Sequence, residues 1–405
     1  MKHLIRMAIR DLGRNRRRSF FSALALGMGL ALLLLMAAVF EGEIRGSMDS
    51  TIKLESGHLQ VRAASYDEDK TSLAWEDLIE NPDSIAAQIA SLSPVKVATP
   101  RLYASGIVAA RDVTMGVRLI GIDPSSNANA PYLEGLTSGE FLTADDRSGI
   151  LIGQPLADRL RLQPGDTINL LVNTSNGDVD EQPFTIRGIF STKTPTYDKS
   201  TVFMPLSKAQ AFTQTESHAS TIFVLLSERE QTDAVVAALQ TQQYKVLTFA
   251  EMNNLLVLAD EYANAYIIVL YLIILGITAT VIINTLIMAV FERTREIGIL
   301  AAIGMRGGRI MAMFFAESSL LAIGGIIMGL ILGSAMVFYA TKYGIYIGDM
   351  GLTGIILGER IYAYLTLSDT INLTITAFVV TLLAALYPAL LAARMEPVDA
   401  LRGGK

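Results

Sequence analysis

Four stretches of this 405-residue chain are long enough and apolar enough to cross a membrane. Residues 20–40 carry no charge, nor do 265–291, where Asn284 is the main polar break, nor 371–393. Residues 310–340 are interrupted by Glu317 and a few serines. About 20 apolar residues in a helix span a ~30 Å hydrocarbon core. Hydrocarbon offers the backbone no bonding partner, so each stretch must be helical. The composition agrees: 51% of residues are apolar, 18% are charged, and mean hydropathy is +0.41. The first apolar run exceeds the ~7–15 residues of a secretory signal, and no small-residue cleavage site follows it. It reads as a retained helix.

Charge sets the expected orientation. Lys2, Arg6, Arg10, Arg14, Arg16, Arg17 and Arg18 precede the first stretch, against Asp11 alone. Arg293, Arg295, Arg306 and Arg309 lie between the second and third, and Arg394, Arg402 and Lys405 follow the fourth. The positive-inside rule puts both termini and the second connection in the cytoplasm. Residues 41–262, with 17 basic and 30 acidic residues, then lie outside. Leu4, Ile5, Met7, Ala8, Ile9 and Leu12 fall largely on one side of a helix with arginines on the other. That pattern fits an interfacial helix on an anionic leaflet as well as a plain topogenic cluster. The expected division is a basic N-terminal helix at 1–18, membrane spans at 19–40, 263–291, 310–340 and 371–393, an external domain at 41–262, a cytoplasmic helix at 292–309, an external loop at 341–370 and a cytoplasmic tail at 394–405.

The external segment is patterned as a folded domain. Alternation at Ile52, Leu54, Leu59, Val61 and Ala63 predicts a strand. Asn81-Pro82-Asp83 opens a helix carrying Ile85, Ile89 and Leu92, and residues 95–110 return to strand character. The same order recurs as strand 221–226, helix 232–239 and strand 244–249. Between these lies a region of short strands at 149–153, 167–172, 184–190 and 201–204, with a helical turn at 155–160 and a turn at 163–166. The expected architecture is a strand–helix–strand base from 41–111 and 220–262 carrying a β-rich insert at 112–219.

No catalytic or metal constellation emerges. The chain has no cysteine, and His3, His58 and His218 are far apart. Asp145 with Asp146, and Asp178 with Asp180, read as acidic surface loops rather than a paired-carboxylate site. Trp75 reads as a packing residue. No P-loop is present, since the one Gly-Lys pair is Gly404-Lys405.

The most specific sequence lies at 284–304, N-T-L-I-M-A-V-F followed by E-R-T-R-E-I-G-I-L-A-A-I-G. By pattern, 292–304 is a short amphipathic helix, with Gly298 and Gly304 permitting close approach or chain reversal. It suits docking in a groove of another protein, or equally a loop held against the membrane. Together with F-F-A-E at 314–317, Y-P-A at 387–389 and A-A-R-M-E-P-V-D-A-L-R at 392–402, this segment resembles the FtsX-like permease domain of ABC transporters. The stretch I-G-Q-P-L-A-D-R-L-R-L-Q-P-G-D at 152–166 resembles the periplasmic core domain of MacB-type and lipoprotein-releasing (LolC/LolE) permeases. Ala301 departs from the family pattern, which often has a basic residue there; Arg306 and Arg309 lie near.

The resemblance implies a membrane α-helical protein with four transmembrane helices plus an α+β extracytoplasmic domain. It implies a permease subunit in the bacterial inner membrane, with no catalysis and no cofactor of its own. ATP and magnesium would sit on a separate ABC ATPase. The ATPase would dock on Glu292, Arg293, Arg295, Glu296, Ile297, Gly298, Leu300 and Gly304, with Arg295 and Glu296 as polar contacts and Ile297 and Leu300 as apolar ones. Further partners implied are a second copy or a paralogue, the lipid membrane, and a periplasmic lipoprotein carrier or adaptor; no nucleic acid is expected. Lipoprotein release ranks first, ahead of export of hydrophobic small molecules or peptides through an outer-membrane channel. Control of a cell-wall hydrolase is the alternative outside transport.

Within the membrane, Gly325, Gly329 and Gly333 repeat at four-residue spacing beside Gly324, and Ala25-x-x-x-Gly29 is a weaker instance. Small residues so spaced let helix backbones pack closely. Glu317, about two turns into its span, is costly there and usually partnered; a structural role, by snorkelling or by pairing with an arginine, is expected ahead of a proton relay.

The topology is directly measurable. A cysteine introduced at Ser175 is expected to react with an impermeant thiol reagent on intact spheroplasts, and one at Thr294 only after lysis. Labelling of the Thr294 site on intact spheroplasts overturns the assignment.

Overall fold

The structure, a computed structural model, describes residues 8, 10, 12–14, 16–66, 73–110, 113–228, 231–239, 244–348 and 357–396, with backbone alone at 263 and 264. Most of the basic segment 1–18 before residue 8, and the end of the C-terminal motif from Pro397 to Arg402, lie outside the described residues. In chain order the helices are α1 (Arg16–Thr51), α2 (Pro82–Ala90), α3 (Ala130–Glu134), α4 (Gln154–Leu160), α5 (Pro195–Ser200), α6 (Leu206–Thr213), α7 (Thr232–Leu239), α8 (Phe249–Met252), α9 (Asn254–Glu292), α10 (Thr294–Ala302), α11 (Gly307–Tyr343) and α12 (Leu367–Ala393). The chain divides into two compact units. One comprises 1–44, 260–345 and 361–405; the other comprises 45–259 and 346–360.

The first unit is built on α1, α9, α11 and α12. All four are long and apolar enough to cross a membrane. The glycine row of α11 faces α1. A Cβ on Gly325 would meet the Ala23 carbonyl oxygen at 2.9 Å, one on Gly329 the Gly27 oxygen at 2.9 Å, and one on Gly333 the Ala31 Cα at 3.1 Å. The reciprocal row on α1 is therefore Ala23, Gly27 and Ala31, flanked by buried Leu26, Leu30 and Leu34. The expected Ala25–Gly29 pair serves otherwise: Gly29 faces Thr278 Oγ1 of α9, 2.6 Å from where its Cβ would stand.

The second unit carries strands β1 (Leu59–Ala63), β2 (Ile79–Glu80), β3 (Val95–Ala110), β4 (Val113–Ile122), β5 (Leu136–Gly139), β6 (Gly149–Gly153), β7 (Thr167–Asn173), β8 (Val179–Phe190), β9 (Thr201–Pro205), β10 (His218–Ala219), β11 (Thr221–Leu226) and β12 (Tyr244–Thr248). Ten of them form one sheet in the order β12-β1-β11-β3-β4-β9-β6-β8-β5, with β7 bridging β3 and β8. Ladders β4–β9 and β6–β8 are parallel and the other ladders of this sheet are antiparallel. The 16-residue β3 joins base and insert. Its first half pairs with β11, Gly106–Ala109 pair with β7, and β4 pairs from Arg101 to Ala110. Among the apolar cores that result are two large ones. Leu59, Val61, Ile89, Ile222 and Val224 pack under α2 and α7. Leu102, Leu119, Ile152, Ile168, Phe184 and Phe212 pack beneath the insert.

The strand expected from Ile52 begins only at Leu59. Ile52–Ser56 form a π-helical turn that continues α1, and Gly57, at φ +69°, ends it with its amide on the Ile52 carbonyl at 3.0 Å. Alternation at two positions could not distinguish a strand from a helix end. Three side chains converge on the Leu54 carbonyl: Arg101 Nη1 at 3.1 Å, Tyr132 Oη at 2.8 Å and Tyr197 Oη at 3.1 Å. Arg101 is fully buried, its guanidinium 3.6 Å above the Phe223 ring. Next along the turn, Glu55 pairs with Arg118. Leu54 lies in the last turn of the helix, where carbonyls have no intrahelical donor, and these buried donors satisfy a group that would otherwise be costly.

Gly329→Leu is expected to force α1 and α11 apart and to destabilise the protein by about 1–3 kcal/mol, read as a lower thermal midpoint in detergent. An unchanged midpoint would show that the row does not hold the two helices together.

Candidate functional site

The segment joining α9 to α11 is compact. One residue, Arg293, separates α9 from α10. Its backbone leaves helical geometry, at φ −113° and ψ 11°, and its carbonyl accepts the Ile297 amide at 2.9 Å. Gly304, at φ +93°, reverses the chain after α10, a conformation that costs a Cβ-bearing residue more. α11 then starts at Gly307, where a Cβ would meet the Ala393 carbonyl oxygen of α12 at 2.8 Å.

The turn is fixed by a buried ion pair. Arg293 Nη1 stands 3.4 Å from Glu317 Oε2, and both side chains are 4% exposed. Of the two structural roles expected for Glu317, snorkelling or pairing with an arginine, the structure shows the pair. Arg293, expected to contact an ATPase, is instead spent on this pair. Removing either member would break the pair in a low-dielectric setting.

The faces of α10 are also assigned. Ile297 is 1% exposed and packs with Val290, Ile310, Met313, Phe314, Ala389 and Ala392. Gly298 is buried and Leu300 half-buried. Ile297 is thus the anchor that holds α10 to α11 and α12, which corrects its expected role as a docking contact. The outward face presents Arg295 and Glu296 with Ile299, 44% exposed, and Ile303, 79% exposed. Positions 295, 299 and 303 recur every four residues, one helix face. Sequence reasoning missed Ile299 and Ile303 because four apolar residues in seven positions leave the phase of the helix open.

The basic N-terminal segment reaches the same place. Arg14 Nη1 donates to Glu296 Oε1 at 2.8 Å, and Arg18 pairs with Glu292. Farther along, the Ser22 hydroxyl bonds Thr285 Oγ1 at 3.0 Å, tying α1 to α9. Of the eight residues expected to couple to an ATPase, Arg295 and Glu296 stand at the surface of α10 and Glu292 at the end of α9; Gly304 forms the turn.

Elsewhere, perturbed or conspicuous groups have structural employment. Asp146 pairs with Arg187 at 3.0 Å and caps the Thr143 amide; Asp180 accepts from Gln182. Burial pushes the Asp198 carboxyl up to about 6, against the opposing pull of hydrogen bonds from Thr192 and Ser191; it braces the turn at 191–194. Trp75 is not a core residue: it is 48% exposed and stacks on the His218 ring at 5.8 Å.

Comparison with known proteins places the whole chain. Residues 19–242 match the MacB-like periplasmic core domain and residues 268–397 the FtsX-like permease C-terminal domain. The lipoprotein-releasing system transmembrane protein LolC of Neisseria meningitidis serogroup B is 21% identical, over 98% of each chain. LolE of Haemophilus influenzae is 24% identical over 94% of this chain and 93% of its own. The macrolide export ATP-binding/permease protein MacB of a Shewanella species is 23% identical over 98% of this chain, which spans 60% of that longer protein.

A double-mutant cycle tests the ion pair. Glu317→Ala or Arg293→Ala alone is expected to cost about 3–5 kcal/mol by breaking the buried pair, measured by thermal or denaturant unfolding in detergent. Arg293→Met with Glu317→Met is expected to be more stable than either single variant. Purely additive losses would show that the two charges are not coupled.

Proposed function

Since the chain belongs to the family that joins a MacB-like periplasmic core domain to an FtsX-like permease C-terminal domain, and is an ABC transporter permease, we propose that it converts ATP hydrolysis on a separate ATPase into movement of its periplasmic domain. The ATPase docks on the outward face of α10, through Arg295, Glu296, Ile299 and Ile303. The observation that carries this reading is the joint at Arg293. A nine-residue helix is held to α9 by a single residue and to α11 by a buried ion pair. Force applied to α10 therefore enters the membrane helices with little slack. A second copy or a paralogue completes the assembly in the bacterial inner membrane, with both termini in the cytoplasm.

Release of lipid-anchored proteins is the cargo reading we favour, because the relatives covered over nearly their full length include two named for lipoprotein release. Export of hydrophobic small molecules is second and rests on the MacB relative. Recovery of a periplasmic lipoprotein carrier or of an adaptor with the purified complex separates them.

Arg295→Glu with Ile303→Asp is expected to weaken ATPase binding by about thirtyfold or more, the usual cost of losing an interface anchor. The thermal midpoint of the permease should be unchanged, since both side chains are exposed. Normal copurification of the ATPase with normally coupled hydrolysis would falsify the assignment of α10.

A further inference from the structure

The membrane unit contains a polar hollow of about 620 Å³ lined by Gly13, Arg14, Arg16, Arg17, Arg18 and Glu292. Two of its four guanidinium groups are engaged, Arg18 by Glu292 and Arg14 by Glu296. Arg16 donates Nε to the Gly13 carbonyl at 3.2 Å, and Arg17 is exposed. Neither has a carboxylate partner among the described residues. The hollow thus holds two positive charges that nothing described offsets.

The chain beyond it is apolar on the same side. Arg17, Phe21, Leu24 and Met28 follow one another at spacings of four, three and four, a single stripe of α1. Phe21 is 64% and Met28 59% exposed, and Leu24 and Met28 line an apolar groove of about 570 Å³ with Ile277 and Val281 of α9. At about 1.5 Å per residue, Met28 lies about 16 Å along the helix from Arg17, close to half of a ~30 Å hydrocarbon core.

We propose that this stripe is a binding site for one anionic phospholipid. Its phosphate is held by Arg16 and Arg17, and its acyl chains lie along Phe21, Leu24 and Met28. Arginine forks match phosphate oxygens in paired hydrogen bonds. Two charges favour a headgroup with net negative charge over a zwitterion, whose own ammonium offsets the phosphate. A soluble phosphate would use the hollow and leave the apolar stripe idle. Because Glu292 forms part of the wall and sits next to the joint at Arg293, the bound lipid is a neighbour of the proposed coupling helix, but its binding does not depend on that role.

The test uses the full-length protein in detergent, mixed with equal amounts of dioleoylphosphatidylglycerol and dioleoylphosphatidylcholine, with bound lipid counted by native mass spectrometry. An arginine beside an anionic headgroup is worth about fivefold, so a preference of about 25-fold for phosphatidylglycerol is expected. Arg16→Gln with Arg17→Gln should abolish the preference, and Arg16→Lys with Arg17→Lys should keep most of it, which separates loss of charge from loss of fold. Arg306→Gln with Arg309→Gln removes equal charge elsewhere and should leave the preference intact. Phe21→Ser with Met28→Ser should reduce retention of both lipids. Equal retention of the two lipids by the unaltered protein, an equal effect of the Arg306/Arg309 pair, or displacement of phosphatidylglycerol by millimolar inorganic phosphate each overturns the proposal.

Discussion

Apolar side chains surrounded by lipid gain nothing by leaving it, so helices in a membrane associate through close packing and the few polar contacts they can share. In this chain that constraint is met along one line, where Gly325, Gly329 and Gly333 of α11 lie against Ala23, Gly27 and Ala31 of α1. Leu26, Leu30 and Leu34 form the adjacent row on α1, pack against the same glycines and are almost fully buried. Gly29 is left to receive Thr278, and Ser22 to bond Thr285, so α9 joins α1 through small hydroxyl residues rather than a second glycine row.

Charge is handled by the same economy. The membrane unit buries two charges at the joint between α9 and α11 and makes them partners. That choice has functional consequences. An arginine committed to Glu317 fixes where α10 begins, and Ile297 fixes which side of α10 turns inward. What remains outward is Arg295, Glu296, Ile299 and Ile303, the surface proposed above for the ATPase. The acidic side chains at this end also meet Arg14 and Arg18, so the N-terminal basic segment is tied to this end of the membrane unit.

In the second unit the corresponding fixed point is the Leu54 carbonyl. It lies in the last turn of the helix, where a carbonyl has no intrahelical donor, and Arg101, Tyr132 and Tyr197, from three separate elements, supply donors. The cluster brings together residues 47 to 143 positions apart in sequence. β3 makes this possible, being long enough to pair with the base at one end and the insert at the other.

Much of this was legible without coordinates, for physical reasons that can be named. The four spans follow from length and apolarity alone. Strands such as β3, β6 and β11 and helices such as α7 follow from local alternation, helical spacing and turn residues, because these signals act over a few neighbouring positions. That Glu317 is costly in lipid and would snorkel or pair with an arginine follows from the cost of a lone charge there. Which arginine answers it, which phase of α10 is buried, which small residues of α1 meet the glycine row, and that Ile52 and Leu54 close a helix rather than open a strand were all decided by tertiary structure. Each depends on a partner far away in sequence, and a local pattern compatible with two faces or two registers acquires a single answer only when that partner is in place.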